Sequence, residues 1–172
     1  MKLKNLAVAV ALSGGVMSPV WADTFNLGSL NPGNSGVHFF QPNPGSFTDY
    51  LQFNLPSPVS ALASAVSINL TSFLNISGLQ GNLYSGSLPP LSGSPIGPTV
   101  VDGNVVTTFP SLSGGNYTFV YTGTATGSNG GGYLASVAAV PEAQEWAMML
   151  AGLGLVALVA TRRREDGAGH AA

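Results

Sequence analysis

Apolar and polar residues alternate without a break from Ser46 to Leu55, which places Phe47, Asp49, Leu51, Phe53 and Leu55 on one face and Thr48, Tyr50, Gln52 and Asn54 on the other. A period of two predicts a half-buried strand, with one carboxylate on its apolar side. Shorter runs rich in β-branched and aromatic residues predict further strands over Gly36 to Phe40, Ala65 to Leu70, Leu79 to Tyr84, Thr99 to Val101, Asn104 to Phe109, Asn116 to Thr124 and Gly132 to Ala138. Helical periodicity is nowhere sustained between residues 23 and 139. The region reads as all-β, a single antiparallel β-sandwich of jelly-roll or Ig-like type. Val100 to Val106 reads as a hairpin turning at Asp102, Gly103 and Asn104, residues that tolerate positive φ. Leu83 to Thr99, with its prolines and glycines, is a surface connection, and TGTATGSNGGGY joins the last two strands as a mobile loop.

The pattern changes at both ends. Residues 1–22 begin with Lys2 and Lys4, run apolar from Leu6 to Met17 and close on Val20, Trp21 and Ala22, the small-x-small arrangement of a signal peptidase site. Cleavage after Ala22 is expected; an uncleaved anchor is the alternative, weakened by Ser13, Gly14 and Gly15 inside a short apolar run. At the other end an apolar helix is expected over 146–160, followed by Arg162, Arg163 and Arg164. It carries no polar face between Ala147 and Ala160, unlike a core helix. At 1.5 Å per residue it would extend about 22 Å, a marginal transmembrane span, with the arginines as a stop-transfer cluster on the cytoplasmic side. The chain thus divides into a signal peptide (1–22), an exported sandwich domain (23–139), a sorting segment (140–164) and a tail (165–172).

Charge narrows the partners. No Lys or Arg lies between Asp23 and Val140, and the acidic residues there are Asp23, Asp49 and Asp102. Such a surface cannot neutralise phosphates, which argues against nucleic acid and against anionic lipid for this region. Cysteine is absent, excluding a disulfide framework, a thiolate metal site and a thiol nucleophile.

The C-terminal arrangement resembles the PEP-CTERM sorting signal of Gram-negative bacteria. Val140, Pro141 and Glu142 match its motif, Trp146 to Gly154 read like the wording of its helix, and Ala143 stands where the motif has its second proline. The stretches FTDYL, SLSGGNYTFVYTGTATG and GGYLASVAAVPE resemble the FxDxF family of PEP-CTERM proteins; Phe47 and Asp49 match the Phe-x-Asp-x-Phe motif, with Leu51 at its second Phe. The resemblance implies an exosortase as processing partner, transient residence at the inner membrane and release to the cell surface or medium. It implies no biochemical activity.

The residues themselves carry little chemistry. His38 is the sole histidine between 23 and 140 and sits beside Phe39 and Phe40, a strand or edge residue rather than a catalytic base. A metal site would have to gather His38, Asp23, Asp49 and Asp102 from four distant segments, and Asp102 is explained by its turn. No cofactor is expected and no enzyme class survives. Two readings of function remain: a surface or extracellular-matrix protein, associated through the exported domain with extracellular polysaccharide, or a carbohydrate-binding module using Tyr50, Tyr84, Tyr117, Tyr121 and Tyr133. Tyr117, Phe119 and Tyr121, however, share one strand face, as core residues do. Asp49 has three candidate states: a buried neutral acid, a buried carboxylate with hydrogen-bond partners, or a calcium ligand. With no cation of the body to pair with, its partners are expected to be backbone N–H groups or hydroxyls of a neighbouring loop at the sandwich edge.

Overall fold

A computed structural model describes residues 22–87, 93–141 and 147–157. Nine strands follow one another: β1 (Thr24–Ser29), β2 (Ser35–Phe40), β3 (Gly45–Leu55), β4 (Val59–Ser67), β5 (Ile76–Ser85), β6 (Ile96–Val101), β7 (Gly103–Leu112), β8 (Gly115–Ala125) and β9 (Tyr133–Val140). They form a β-sandwich of two sheets, one in the order β1-β3-β8-β5-β6 and the other β2-β9-β4-β7. Among the described strands every pair is antiparallel except β1 with β3, which run parallel.

The alternation of β3 decides its orientation as expected: Phe47, Asp49, Leu51, Phe53 and Leu55 are all buried. β3 pairs with β8 over its whole length, from Gly45 opposite Ala125 to Leu55 opposite Gly115, which sets Tyr117, Phe119 and Tyr121 on the same inner face. The first sheet therefore fills the interior with aromatic rings. In the facing sheet the two central strands answer with small residues, Val59, Ala61, Ala63 and Ala65 from β4 and Ala135, Val137 and Ala139 from β9, each at most 1% exposed, while Phe40, Phe109 and Tyr133 fill the space towards its margins. Two inner faces of large side chains would not close to the roughly 10 Å spacing of packed sheets; large against small does.

The structure corrects several expectations. β1 was not predicted, because TFNLGS is an exposed edge strand with no buried face to impose a period. β4 begins at Val59 rather than Ala65: its inner face is mostly alanine, a residue with little strand preference, so a strict alternation was hidden by composition. The Val100–Val106 hairpin does not form. β6 pairs with β5 in one sheet and β7 with β4 in the other, so Asp102 and Gly103 make a corner between sheets, with Gly103 at a φ of 110°. Turn residues serve a corner as well as a hairpin. The segment 126–132 is not a free loop: Gly127 and Gly130 pair, Ser128 and Asn129 N–H groups donate to the carbonyls of Ser72 and Phe73, and Gly131 N–H donates to Pro42.

Beyond β9, residues 147–157 form a helix whose side chains are all exposed. At 1.5 Å per residue it extends about 16 Å, and no helix among the described residues is long and apolar enough to cross a membrane. The span expected over 146–160 is not met there; Trp146 and residues 158–160 lie outside the described residues, as do residues 1–21.

Phe119, fully buried and set edge-on to Phe109 at 5.4 Å, occupies the centre of the layer. Phe119→Ala should destabilise the fold by about 3–5 kcal/mol, and Ala63→Leu, which adds volume to the small-residue face, by about 1–3 kcal/mol, as read by denaturant unfolding.

Candidate functional site

The carboxylate of β3 lies near one end of the sandwich, where the chain enters β1. Asp23 is held there by the parallel ladder: Thr24 is opposite Tyr50, and the Tyr50 N–H donates to the Asp23 carbonyl at 2.7 Å. This places the Asp23 backbone N–H 2.9 Å from Asp49 Oδ1, to which it donates. From the facing sheet, Tyr133 at the start of β9 donates its hydroxyl to Asp49 Oδ2, also at 2.9 Å. Asp49 is 2% exposed, and both of its oxygens are engaged. Of the three states anticipated from the sequence, the geometry matches a buried carboxyl with hydrogen-bond partners. One partner comes from the strand entry and the other from the interior.

Tyr133 is fixed by its neighbours. Its ring stacks on Phe40 and Phe47, with centroids at 5.0 and 5.7 Å, and lies 5.6 Å from that of Tyr121. The Tyr121 hydroxyl is buried without a hydrogen-bond partner. Burial raises its pKa, and burial together with the charge of Asp49 raises that of Tyr133, so both phenols are neutral. Burial likewise pushes the Asp49 carboxyl up to about 6; the donors Asp23 N–H and Tyr133 O–H pull the other way, and the charge of Asp23 adds slightly to the rise.

Beside the carboxylate opens a cleft of about 180 Å³ lined by Ala22, Asp23, Gln41, Pro42, Asn43 and Asp49. Its donor set is oxygen-rich, yet the described residues contain no group of three or more His, Asp or Glu side chains that could hold a metal ion. An acid near 6 could exchange a proton, but no hydroxyl other than that of Tyr133 reaches it.

The other singled-out residues are scattered. Asp102 is exposed and joins the β6–β7 corner to the end of β4: its carboxylate accepts from the Ser67 N–H at 2.8 Å and the Ser67 hydroxyl at 2.6 Å. His38 lies on edge strand β2, stacked on Phe25 at 3.6 Å and edge-on to Phe40 at 4.5 Å; burial lowers its pKa, against the charge of Asp23. Of the five tyrosines considered as a sugar platform, Tyr117, Tyr121 and Tyr133 are core residues, whereas Tyr50 and Tyr84 are half-buried on the outer face of the first sheet, with β8 between their strands. Phe47 and Leu51 flank Asp49 in the core. Val140 ends β9 opposite Ser60 and Pro141 follows it; Glu142 and Arg162 to Arg164 lie outside the described residues. Sequence reasoning anticipated the kinds of partner Asp49 has, a backbone N–H and a hydroxyl, but not that Asp23 and Tyr133 would supply them. A backbone N–H leaves no mark in a sequence, and Tyr133 was read as an exposed ring although Ala135, Val137 and Ala139 continue its face at a period of two.

No protein-family model and no curated protein matches the chain. Among solved structures it is similar to the pre-peptidase C-terminal domain of a collagenase from Bacillus anthracis, at 17% identity and a TM-score of 0.39, over 70% of this chain and 97% of that one.

Two outcomes follow from the hydroxyls and the carboxylate. Tyr133→Phe removes a hydrogen bond to a charged acceptor and should cost about 1.5–3 kcal/mol, whereas Tyr121→Phe removes an unpartnered hydroxyl and should leave stability unchanged or slightly higher in the same denaturation assay. In a chain that retains Ala22, the raised Asp49 pKa means that the folded state holds the proton more tightly than the unfolded one. The Asp49 contribution is then full below about 3.8 and is lost as pH rises through about 6. The difference in melting temperature between this chain and its Asp49→Asn variant should shift in the variant's favour between pH 4 and pH 7, and a constant difference would contradict the assignment.

Proposed function

We propose that the chain is an exported structural protein of the cell surface or extracellular matrix, without catalytic activity of its own, delivered by a cleaved N-terminal signal and sorted through its C-terminal segment. Cleavage after Ala22 by signal peptidase releases residues 23 onward outside the inner membrane. The apolar segment and Arg162 to Arg164 hold the C-terminus at that membrane while an exosortase acts at or near Val140, Pro141 and Glu142. The strand order supports the jelly-roll form of the sandwich over the Ig-like one, because β2 to β9 contribute four strands to each sheet and, within this set, the chain stays in one sheet only between β5 and β6.

One observation carries the sorting part of this reading: the folded body finishes where the motif starts. Val140 is the last residue of β9, and the neighbouring Ala139 is bound on both sides of its peptide unit, its carbonyl accepting from Gly33 N–H and its N–H donating to the Asn34 carbonyl. Pro141 has left the ladder. A processing enzyme at the motif therefore cuts no strand of the sandwich. The absence of catalytic activity is supported by the carboxylates of the body, since Asp49 and Asp102 are both engaged in tying segments together. Extracellular polysaccharide is the partner that suits a body devoid of Lys and Arg.

Replacing Arg162, Arg163 and Arg164 together by Glu should leave a precursor of unprocessed mass, misplaced or held in the membrane fraction, while the parent yields a product shortened at its C-terminus. Intact-mass analysis of secreted material reads both. A parent product that keeps the residues beyond Thr161 contradicts the sorting reading.

A further inference from the structure

Asp49 is a carboxylate buried in a region that offers no Lys or Arg, and one of its two partners is the backbone nitrogen of Asp23, 2.9 Å away. That nitrogen is an amide only while Ala22 is attached. We infer that Asp49 is the built-in counter-ion of the mature N-terminus, so that removal of the leader creates a buried ion pair the precursor cannot form. The inference rests on cleavage after Ala22, as proposed above. Hydrolysis of the Ala22–Asp23 peptide bond by water leaves a carboxylate on Ala22 and an α-ammonium on Asp23. The new positive charge then sits at the end of a hydrogen bond already in place.

Three features make the position specific. The nitrogen is located from its C-terminal side: the Asp23 carbonyl accepts from Tyr50 N–H at 2.7 Å and its Oδ1 accepts from Thr24 N–H at 2.8 Å, so nothing that fixes it is lost with the leader. The spacing tolerates no error, because strand residues advance about 3.3 Å each, and a chain starting one residue earlier or later carries its ammonium out of reach of Oδ1. Room also exists for the two additional N–H donors that an ammonium has over an amide. Asp23 and Asp49 line a cleft together with Gln41 and Asn43, whose side chains carry amide oxygens as acceptors, and Ala22, which lines the same cleft, is the residue that departs.

The charge balance of the surroundings points the same way. The groups facing the pair are the Tyr133 hydroxyl bound to Oδ2, the unpartnered Tyr121 hydroxyl behind it, the Asp23 side chain and, further along β2, His38. Neither phenol is charged, and the Asp23 carboxylate adds a second negative charge. Among the described residues Asp49 thus meets no Lys or Arg, consistent with the rise of its pKa to about 6. An ammonium at 2.9 Å reverses that, lowering the pKa of Asp49 and raising that of the amine. The stabilisation from a raised amine pKa is full below the ordinary α-amino range of about 7.7–8.0 and is lost as pH rises through the folded value.

The exported chain lends itself to a direct test, because Lys2 and Lys4 are its only lysines and both leave with the leader, which makes the α-amine its sole primary amine. N-terminal sequencing of the secreted protein comes first: a start other than Asp23 overturns the cleavage reading and the ion pair together. With Asp23 confirmed, the pH dependence of acetylation of that amine is measured in the parent and in Asp49→Asn. The pair predicts a midpoint at least one unit above the ordinary α-amino range in the parent, and a return to or below that range in the variant. Burial without a counter-ion lowers an amine's pKa, so a parent midpoint within or below the ordinary range overturns the pair and leaves the cleavage reading standing. Acetylation should also lower the melting temperature of the parent by several degrees and leave Asp49→Asn unchanged. Equal shifts in both proteins overturn the coupling, and this readout survives even where the variant itself is less stable.

Discussion

A carboxylate inside a protein must be met by donors, and while Ala22 is attached the two that Asp49 meets among the described residues are both neutral. The fold around β3 depends on that constraint. Leaving Asp49 unpartnered at 2% exposure would cost several kcal/mol, enough to threaten a domain whose net stability is of the order of 5–15 kcal/mol. The two hydrogen bonds that prevent it come from segments 26 and 84 residues away in sequence, one at the entry to β1 and one at the start of β9. Asp49 therefore joins the first sheet's edge strand and the opposite sheet through a single side chain. It also fixes how Tyr133 enters the core, and with it the stack of Phe40, Phe47 and Tyr121 around that ring.

The packing of aromatic rings from the first sheet against the small residues of β4 and β9 follows the same economy of contacts. Gly81 shows how tightly the first sheet uses its space: a Cβ there would come within 2.4 Å of the Tyr121 ring, a fully buried group with nowhere to move. Gly123 stands in the same relation to Phe47, at 2.8 Å. Glycines on β5 and β8 thus act as sockets for aromatic rings of their own sheet, and alanines on β4 and β9 as the floor of the opposite one. Because the chain passes between sheets at nearly every connection, most of these contacts join residues distant in sequence. Such a topology closes slowly, and it makes the corners, Asp102–Gly103 among them, part of the structure rather than spacers.

What the sequence made legible was decided by side-chain contrast. β3 and β8 could be read because large apolar residues alternate with polar ones, and the inward face of β3 was identified down to Asp49. In β4 burial alternates just as strictly, but its inward alanines are set against Ser60, Leu62, Ser64 and Val66, which offers too little contrast to mark the face. The corner at Asp102 was mistaken for a hairpin because the residues that allow a reversal are the same in both, and only the partners of β6 and β7 tell them apart. At the site the limit was different. The lack of Lys and Arg in the body left backbone N–H groups and hydroxyls as the expected partners of Asp49, but the sequence could not show which backbone nitrogen would serve, nor that Tyr133 pointed inward.

Two of the three carboxylates of the body, Asp49 and Asp102, also show how a region nearly free of charge uses the few it has. Asp49 and Asp102 sit at different corners, yet each accepts one backbone N–H and one hydroxyl from a segment that would otherwise be loosely tied: the entry to β1 and Tyr133 in one case, both groups of Ser67 in the other. Charged acceptors form stronger hydrogen bonds than neutral ones, and a bond from a carboxylate to an amide or hydroxyl is less weakened by salt than a pair of exposed ions. Such a design leaves solubility to Ser, Thr, Asn and Gln rather than to Lys and Glu, with no positive field to attract phosphate or lipid headgroups. The scarcity of charge is then consistent with the architecture and with the proposed setting alike, and it gives the placement of each remaining charge its structural weight.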